Sequence, residues 1–129
     1  MTILNFGGVY VCGINGFNFL DNMLIQKMND VIKHGDPDNS GIFANNNVTL
    51  GHHRLSIINL SSAEHQPFVY NHKNRKFVIV FNGEIYNFQE IKMDLEAKGY
   101  KFFSKSDTEV LLASYLEWGY ECVNHSFSE

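Results

Sequence analysis

A side-chain amide, a glycine and a carboxylate follow one another at Asn82, Gly83 and Glu84, and only Phe81 separates them from the apolar residues 77–80. The apolar run predicts a strand that is buried on both faces. A strand that ends here presents an amide donor, an unhindered backbone N–H and an anion at one point. Such donors can stabilise an oxyanion, and the carboxylate can hold an ammonium group. An Asn-Gly turn before a capped helix explains the same residues without chemistry, so both interpretations stay open for this segment alone.

A cysteine thiol can act as a nucleophile, and Cys12 is one of the two cysteines of the chain. A thiol attacks an amide carbonyl as its thiolate, and enzymes whose nucleophile is the first residue use that residue's own α-amino group as the base. Eleven residues precede Cys12, so its nitrogen is an amide that cannot act as this base. The alternative is the usual fate of a lone cysteine, a small buried residue in a strand.

Composition excludes several classes of protein. The chain has 129 residues, enough for one domain, and its hydrophobic content of 44% argues against wholesale disorder. A net charge of −4 without a basic stripe argues against a nucleic-acid partner. The apolar runs are too short to span a bilayer, so we expect no membrane partner. The two cysteines indicate thiols of a reducing compartment, and we expect a cytoplasmic location.

Short β-branched and aromatic segments, separated by turn residues, predict strands and two hairpins. The strands are predicted at residues 9–17, 41–44, 48–50, 67–70 and 76–82. His52 and His53 are adjacent and point in divergent directions, and other His or Cys residues do not stand at ligand spacing. We therefore expect no metal site.

Three helices are predicted between and after these strands, which makes the fold class α+β. Asp21 is the expected cap of a helix that runs to about Lys33. Its apolar face is predicted from Met23, Leu24, Met28, Val31 and Ile32. The pairs Asn87/Glu90 and Ser106/Glu109 have the spacing of capping boxes, and Gly99 and Gly119 are predicted to end the two helices that follow.

Five segments, taken in order, resemble the glutaminase domain of glutamine-dependent asparagine synthetases, a class II glutamine amidotransferase of the N-terminal-nucleophile hydrolase type. The segments are VCGINGF (11–17), LGHHRLSIINL (50–60), QPF (66–68), FNGEIYNF (81–88) and SDTEV (106–110). The resemblance extends from about Val11 to about Asn124, which is nearly the whole chain.

The resemblance implies a four-layer αββα sandwich, here incomplete at the C-terminus. It assigns residues 12–129 to a partial type 2 glutamine amidotransferase domain. Residues 1–11 are interpreted as a leader outside the native protein: a start at codon 11 would leave residues 1–10 untranslated, and removal of the initiator residue would expose Cys12. We expect the partner of this chain to be a C-terminal synthetase portion or a second copy of the chain itself.

The same resemblance implies the roles of individual residues. Cys12 is the implied nucleophile, and Asn82 and Gly83 are the implied oxyanion donors. The residues implied to hold glutamine are Arg54 at the α-carboxylate, Leu55 and Ile57 through their backbone, and Glu84 and Asp107 at the ammonium group. By sequence alone, Asp107 is an acidic residue in the first turn of a helix, where the helix dipole favours it.

The implied function is hydrolysis of the glutamine amide to supply ammonia for asparagine synthesis. No cofactor is implied for this chain, since ATP and Mg²⁺ would belong to the synthetase domain. With residues 1–11 attached, we expect no appreciable hydrolysis, because Cys12 lacks a free amine. The alternatives are an inactive remnant or glutamine-binding module, and a class II amidotransferase domain with another acceptor.

Overall fold

The computed structural model describes residues 12–32, 40–54 and 65–126. Five strands and four helices are described there, and the class is α+β, as predicted. In chain order they are β1 (Gly13–Phe17), α1 (Asn22–Val31), β2 (Ser40–Ala44), β3 (Thr49–His53), β4 (Phe68–His72), β5 (Arg75–Ile79), α2 (Phe88–Ala97), α3 (Asp107–Trp118) and, after a short 3-10 turn, α4 (Cys122–Ser126). The predicted leader 1–11, the predicted helix end at Gly35, and Leu55 and Ile57 lie outside the described residues.

The first sheet has the antiparallel order β1-β3-β2, and α1 packs across one of its faces. Gly51 in the central strand permits this approach, since a Cβ there would lie only 2.5 Å from Asn29 Oδ1. Asp21 caps α1 as predicted, accepting a hydrogen bond of 2.8 Å from Leu24 N.

The predicted apolar face of α1 is correct only in part: Met28 and Ile32 are half-buried, but Met23, Leu24 and Val31 are exposed. Met23 and Val31 are 73% and 81% exposed, whereas Ile25 and Asn29 are buried. Asn29 is buried because its side-chain amide forms a hydrogen bond with the sheet, in which Asn29 Oδ1 accepts from Asn15 Nδ2. A polar residue with a partner in the sheet therefore takes a position that the apolar pattern could not assign.

The second sheet is the hairpin β4–β5. Its two-residue turn places Lys73 at φ 48° and Asn74 at φ 61°, the signs that a type I′ turn requires. The hairpin was predicted, but the expected burial of residues 77–80 on both faces is wrong, because all four are half-buried. β5 also ends at Ile79, which leaves Asn82, Gly83 and Glu84 in an irregular segment before α2.

The apolar core lies where α2 packs on α3. Its buried members are Ile85, Ile91, Leu95, Tyr100, Val110 and Ala113. α3 also contacts both strands of the hairpin. Ile85 belongs to this core and follows Glu84 directly, so the segment after β5 is anchored by apolar burial at one end.

The helix ends follow the sequence more closely than the helix starts. Gly99 and Gly119 end α2 and α3 at φ 95° and 60°, as predicted. Neither capping box forms, and that prediction is wrong. The Asn87 amide donates to the carbonyl of His125 instead, at 2.8 Å. Glu109 reaches upstream to Phe103 and Ser104, although Ser106 does accept from Thr108 N as a cap.

Candidate active site

The register between β1 and β3 aligns Cys12 with Arg54. Gly13 pairs with His53 and Ile14 with His52. Continued by one residue, this antiparallel register places Cys12 opposite Arg54. Side chains alternate along a strand, so both belong to the face of the sheet that points away from α1. Cys12 and Arg54 are half-buried at the end of this strand pair.

Asn82 meets Cys12 across 70 residues of chain. Its Nδ2 donates a hydrogen bond of 2.7 Å to the Cys12 carbonyl oxygen. Directly before Asn82, the backbone N of Phe81 donates to Gln66 Oε1 at 2.6 Å. The segment that follows β5 is therefore held on one side by the residue before β1 and on the other by Gln66, two residues before β4.

Asp107 fixes the other end of the same segment. Its Oδ2 accepts a hydrogen bond of 3.0 Å from the backbone N of Ile85. Burial raises the pKa of the Asp107 carboxyl, and the negative charge of Glu84 raises it further, against the lowering effect of the backbone donors at Ile85 and Thr108. Glu84 itself is exposed. Two carboxylates thus face one region, and a cation bound there would relieve their repulsion.

His52 and His53 diverge, as predicted from their adjacency. His53 faces α1, and its Nδ1 lies 3.0 Å from Ser40 Oγ. His53 Nε2 is buried and has no hydrogen-bond partner among the described residues. His52 lies on the opposite face and is 3% exposed. Burial, followed by the positive charges of Arg54 and His53, lowers the pKa of His52 to about 4. His52 is therefore a neutral imidazole at pH 7, beside Arg54.

Within the described ranges, His, Cys, Asp and Glu side chains do not form a group of three or more that could hold a metal ion. In the same part of the chain, no helix has the length and apolar character needed to cross a membrane.

Glu109 is a further residue of this region, and the sequence motifs alone do not assign it to the site. It is 0% exposed although it is a carboxylate. Its sequence neighbours Val110, Leu112 and Ala113 are also buried. This apolar setting was the available signal that Glu109 points inward and needs hydrogen-bond donors there.

Separate contacts connect several of the described candidate residues, although these residues come from distant parts of the chain. Cys12 is tied to Asn82 by a hydrogen bond, to Arg54 by strand register, and Asp107 is bonded to the backbone just after Glu84. The functional groups that these residues carry are a thiol, a side-chain amide, a guanidinium and two carboxylates. Such a set can hold an amino acid by its charged end and attack a carbonyl group.

A family model described as "Glutamine amidotransferase domain" matches residues 11–127. Curated relatives that the chain resembles include two proteins of Bacillus subtilis (strain 168). Asparagine synthetase [glutamine-hydrolyzing] 3 is 36% identical over 89% of this chain and 20% of its own length. Asparagine synthetase [glutamine-hydrolyzing] 1 is 46% identical over 78% of this chain and 16% of its own length.

An archaeal protein shows a similar relationship. The putative asparagine synthetase [glutamine-hydrolyzing] 2 of Methanocaldococcus jannaschii is 39% identical over 88% of this chain and 25% of its own length. The chain thus spans no more than a quarter of these three relatives.

Proposed function

The chain belongs to the glutamine amidotransferase domain family, and from that premise we propose that it hydrolyses the side-chain amide of glutamine and supplies ammonia for asparagine synthesis. The observation that carries the proposal is the hydrogen bond from Asn82 Nδ2 to the Cys12 carbonyl oxygen. This bond supports the proposal because it joins the amide of the proposed oxyanion donor to the backbone of the proposed nucleophile. The relatives are named as glutamine-hydrolysing asparagine synthetases, and the acceptor reaction of the proposal is taken from them.

The proposed mechanism begins with attack of the Cys12 thiolate on the amide carbon of glutamine. The carbonyl oxygen becomes an oxyanion, which Asn82 and the backbone N–H of Gly83 stabilise. The C–N bond then breaks, the nitrogen takes a proton and leaves as ammonia, and a γ-glutamyl thioester remains on Cys12. Water attacks the thioester and releases glutamate, which restores the thiol.

The base in this mechanism is the α-amino group of Cys12. An amide nitrogen does not accept a proton in this way, so the mechanism requires that the Val11–Cys12 peptide bond be absent from the active form. The thiol proton passes to the amine during attack, and the resulting ammonium supplies the proton to the leaving nitrogen.

Charged side chains at the site match the two ends of a free amino acid. Arg54 would bind the α-carboxylate of glutamine through its planar guanidinium, and the backbone of Leu55 and Ile57 would line the same pocket. Glu84 and Asp107 would bind the ammonium group. Glu84 is near enough to add to the effect of burial in raising the pKa of Asp107, and a cation bound beside both carboxylates would stabilise their ionised forms.

We also propose the four-layer αββα arrangement for the complete domain. Its support here is a sheet with α1 on one face, and a second sheet contacted by α3. The proposed partner is a C-terminal synthetase portion, in which ATP and Mg²⁺ would act, or a second copy of the chain. The proposed location is the cytoplasm, where a thiol nucleophile stays reduced.

The first test compares three forms of the chain. A form that begins at Cys12 should release ammonia from glutamine and carry a thioester on Cys12, detected by mass spectrometry. The form with residues 1–11 attached should do neither, because it lacks the amine base. A Cys12→Ala variant of the shorter form should be inactive while it still binds glutamine in a calorimeter.

Three results would contradict the proposal. Hydrolysis at equal rates with and without residues 1–11 would rule out the α-amine as the base. Glutamine binding without turnover in every form would indicate the alternative, a glutamine-binding module. Binding of glutamine by no form would reject the amidotransferase assignment of the site altogether.

A further inference from the structure

Glu109 is a fully buried carboxylate for which the proposed mechanism has no use. It lies in the first turn of α3, two residues after Asp107. A carboxylate with 0% exposure has lost its hydration and must be compensated by donors from the protein. The hydrogen-bond donors that surround the Glu109 carboxylate therefore indicate its role.

Both carboxylate oxygens of Glu109 bind the segment that leads into α3. Oε1 accepts from the backbone N of Phe103 at 2.9 Å. Oε2 accepts from the backbone N of Ser104 at 2.8 Å and from Ser104 Oγ at 2.5 Å. Three donors on two adjacent residues fix both the position and the orientation of this segment.

The hydrogen bonds continue from Ser104 to the start of the helix. Ser104 Oγ accepts from the backbone N of Ser106 at 3.2 Å. Ser106 Oγ in turn accepts from the backbone N of Thr108 at 3.2 Å. Asp107 lies between Ser106 and Thr108, whose backbone nitrogens make these two hydrogen bonds, so the backbone of Asp107 is held from both sides.

Asp107 transmits this position to the proposed oxyanion segment. Its Oδ2 is 3.0 Å from the backbone N of Ile85, and Ile85 follows Asn82, Gly83 and Glu84 without a gap. A displacement of the start of α3 would therefore displace both a proposed ammonium ligand and the backbone beside the proposed oxyanion donors. Shifts of about 1 Å at such places can lower rates by about 100-fold.

We propose that Glu109 is a positioning residue, whose buried carboxylate sets the position of Asp107 and thereby of the backbone from Asn82 to Ile85. The functional part of this inference rests on the proposed function. The structural part, control of the Asp107–Ile85 hydrogen bond, does not.

The test uses the full 129-residue chain and the variant Glu109→Gln. The amide keeps the volume of the side chain but replaces one acceptor oxygen with an NH₂ group, which faces another N–H at Phe103 or Ser104. The Ile85 amide proton should exchange with solvent about 10-fold faster than in the wild type, as expected when a hydrogen bond to a charged group is weakened. Its NMR shift should no longer follow the ionisation of Asp107.

Ser114→Ala is the matched control. Ser114 is in the same helix, is also 0% exposed, and donates to the carbonyl of Val110 at 2.8 Å. Its loss removes one buried hydrogen bond from α3 without touching the segment before the helix. Ile85 exchange in this variant should change only as much as global stability does. Equal effects of the two substitutions on Ile85 would overturn the proposal.

Ser104→Ala provides a milder second variant if Glu109→Gln fails to fold. It keeps both backbone donors and removes only the hydroxyl link, so Ile85 exchange should rise by less than in Glu109→Gln. Unchanged Ile85 exchange in Ser104→Ala, with a folded chain, would overturn the proposed route through Ser104.

A double-mutant cycle in the active form tests the functional part. Glu109→Gln should lower kcat/KM for glutamine about 10-fold, and most of this effect should disappear in an Asp107→Asn background, because Glu109 acts through Asp107. Additive effects, or an unchanged kcat/KM, would reject the positioning role. If no form hydrolyses glutamine, the proposed function fails, while Ile85 exchange still decides whether Glu109 controls Asp107.

Discussion

At the scale of single residues, the side-chain amide of Asn82 has two uses in the proposed mechanism. An Asn amide carries two N–H donors. One of them binds the carbonyl oxygen of Cys12 at 2.7 Å, and the second can serve the oxyanion of the proposed intermediate. The first hydrogen bond orients the Asn82 amide, and the second would stabilise the oxyanion. A substitution of Asn82 therefore removes both.

Asn82→Ala should lower kcat for glutamine hydrolysis by about 10²–10³, with a much smaller change in KM. The reason is that an oxyanion donor acts in the transition state and contributes little to binding of the ground state. Steady-state kinetics on the form that begins at Cys12 would measure both constants.

The matched control for Asn82→Ala is Asn87→Ala. That substitution removes a comparable amide-to-carbonyl bond, 2.8 Å to His125, from a position outside the proposed site. Its kcat should stay near the wild-type value. A similar loss in both variants would mean that Asn82 acts through stability, and the oxyanion assignment would be wrong.

A contact of the candidate site can be predicted from the sequence when its two residues are close together in the chain, and not when they are far apart. The succession Asn82, Gly83, Glu84 is local, and its donor and acceptor types can be recognised directly. The partner of Asn82 is the backbone of Cys12, 70 residues away, and a side chain's own pattern does not identify a distant carbonyl. Glu109 was predicted to cap its own helix, but buried donors upstream compete better for its carboxylate.

At the scale of elements, Gly41 determines how closely β2 approaches the start of the hairpin. A Cβ at this position would overlap the carbonyl oxygen of Gln66. The side chain of Gln66 accepts from the backbone N of Phe81, so the same residue links the first sheet to the end of β5. The two sheets are therefore coupled through a backbone contact that only glycine permits.

Gly41→Ala should destabilise the chain by about 1–3 kcal/mol through this steric overlap, measured by chemical denaturation. Gly99→Ala is the comparison, because Gly99 has a φ of 95° and open space around its Cβ position. Its effect should be backbone strain alone, about 1–2 kcal/mol. The Gln66–Phe81 hydrogen bond should weaken only in Gly41→Ala, seen as faster exchange of the Phe81 amide. Equal Phe81 exchange in both variants would contradict the coupling.

The positions of the helices and strands could largely be predicted from the sequence, but which of their side chains are buried could be predicted only in part. Glycines at Gly99 and Gly119 end helices for a local steric reason, and local reasons can be recognised in a sequence. Which side of α1 faces the sheet depends on the side chains of the sheet. The Asn15 amide donates a hydrogen bond to Asn29, and this places Asn29 on the inner side. The half-buried state of residues 77–80 likewise depends on what covers the second sheet.

At the scale of the whole molecule, two buried or half-buried groups link stability to pH in opposite directions. The pKa of His52 is lowered from 6.5 to about 4, chiefly by burial. The unfolded chain therefore binds more protons than the folded chain between these pH values, and stability falls as the pH falls through this window. The pKa of Asp107 is raised from 3.8. The stability that protonated Asp107 contributes is fully present below pH 3.8 and is lost as the pH rises through the raised pKa of the folded state.

His52→Gln separates the two effects, since Asp107 is common to both proteins. Between pH 6.5 and about 4, the wild type should lose about 3 kcal/mol more unfolding free energy than the variant, because each pH unit of the shift corresponds to about 1.4 kcal/mol. Below pH 4 the difference should become constant, since His52 is then protonated in both states. Denaturant unfolding at half-unit pH steps would measure it. Parallel stability curves for the two proteins across this window would show that His52 ionises as easily when folded, and would contradict its burial beside Arg54.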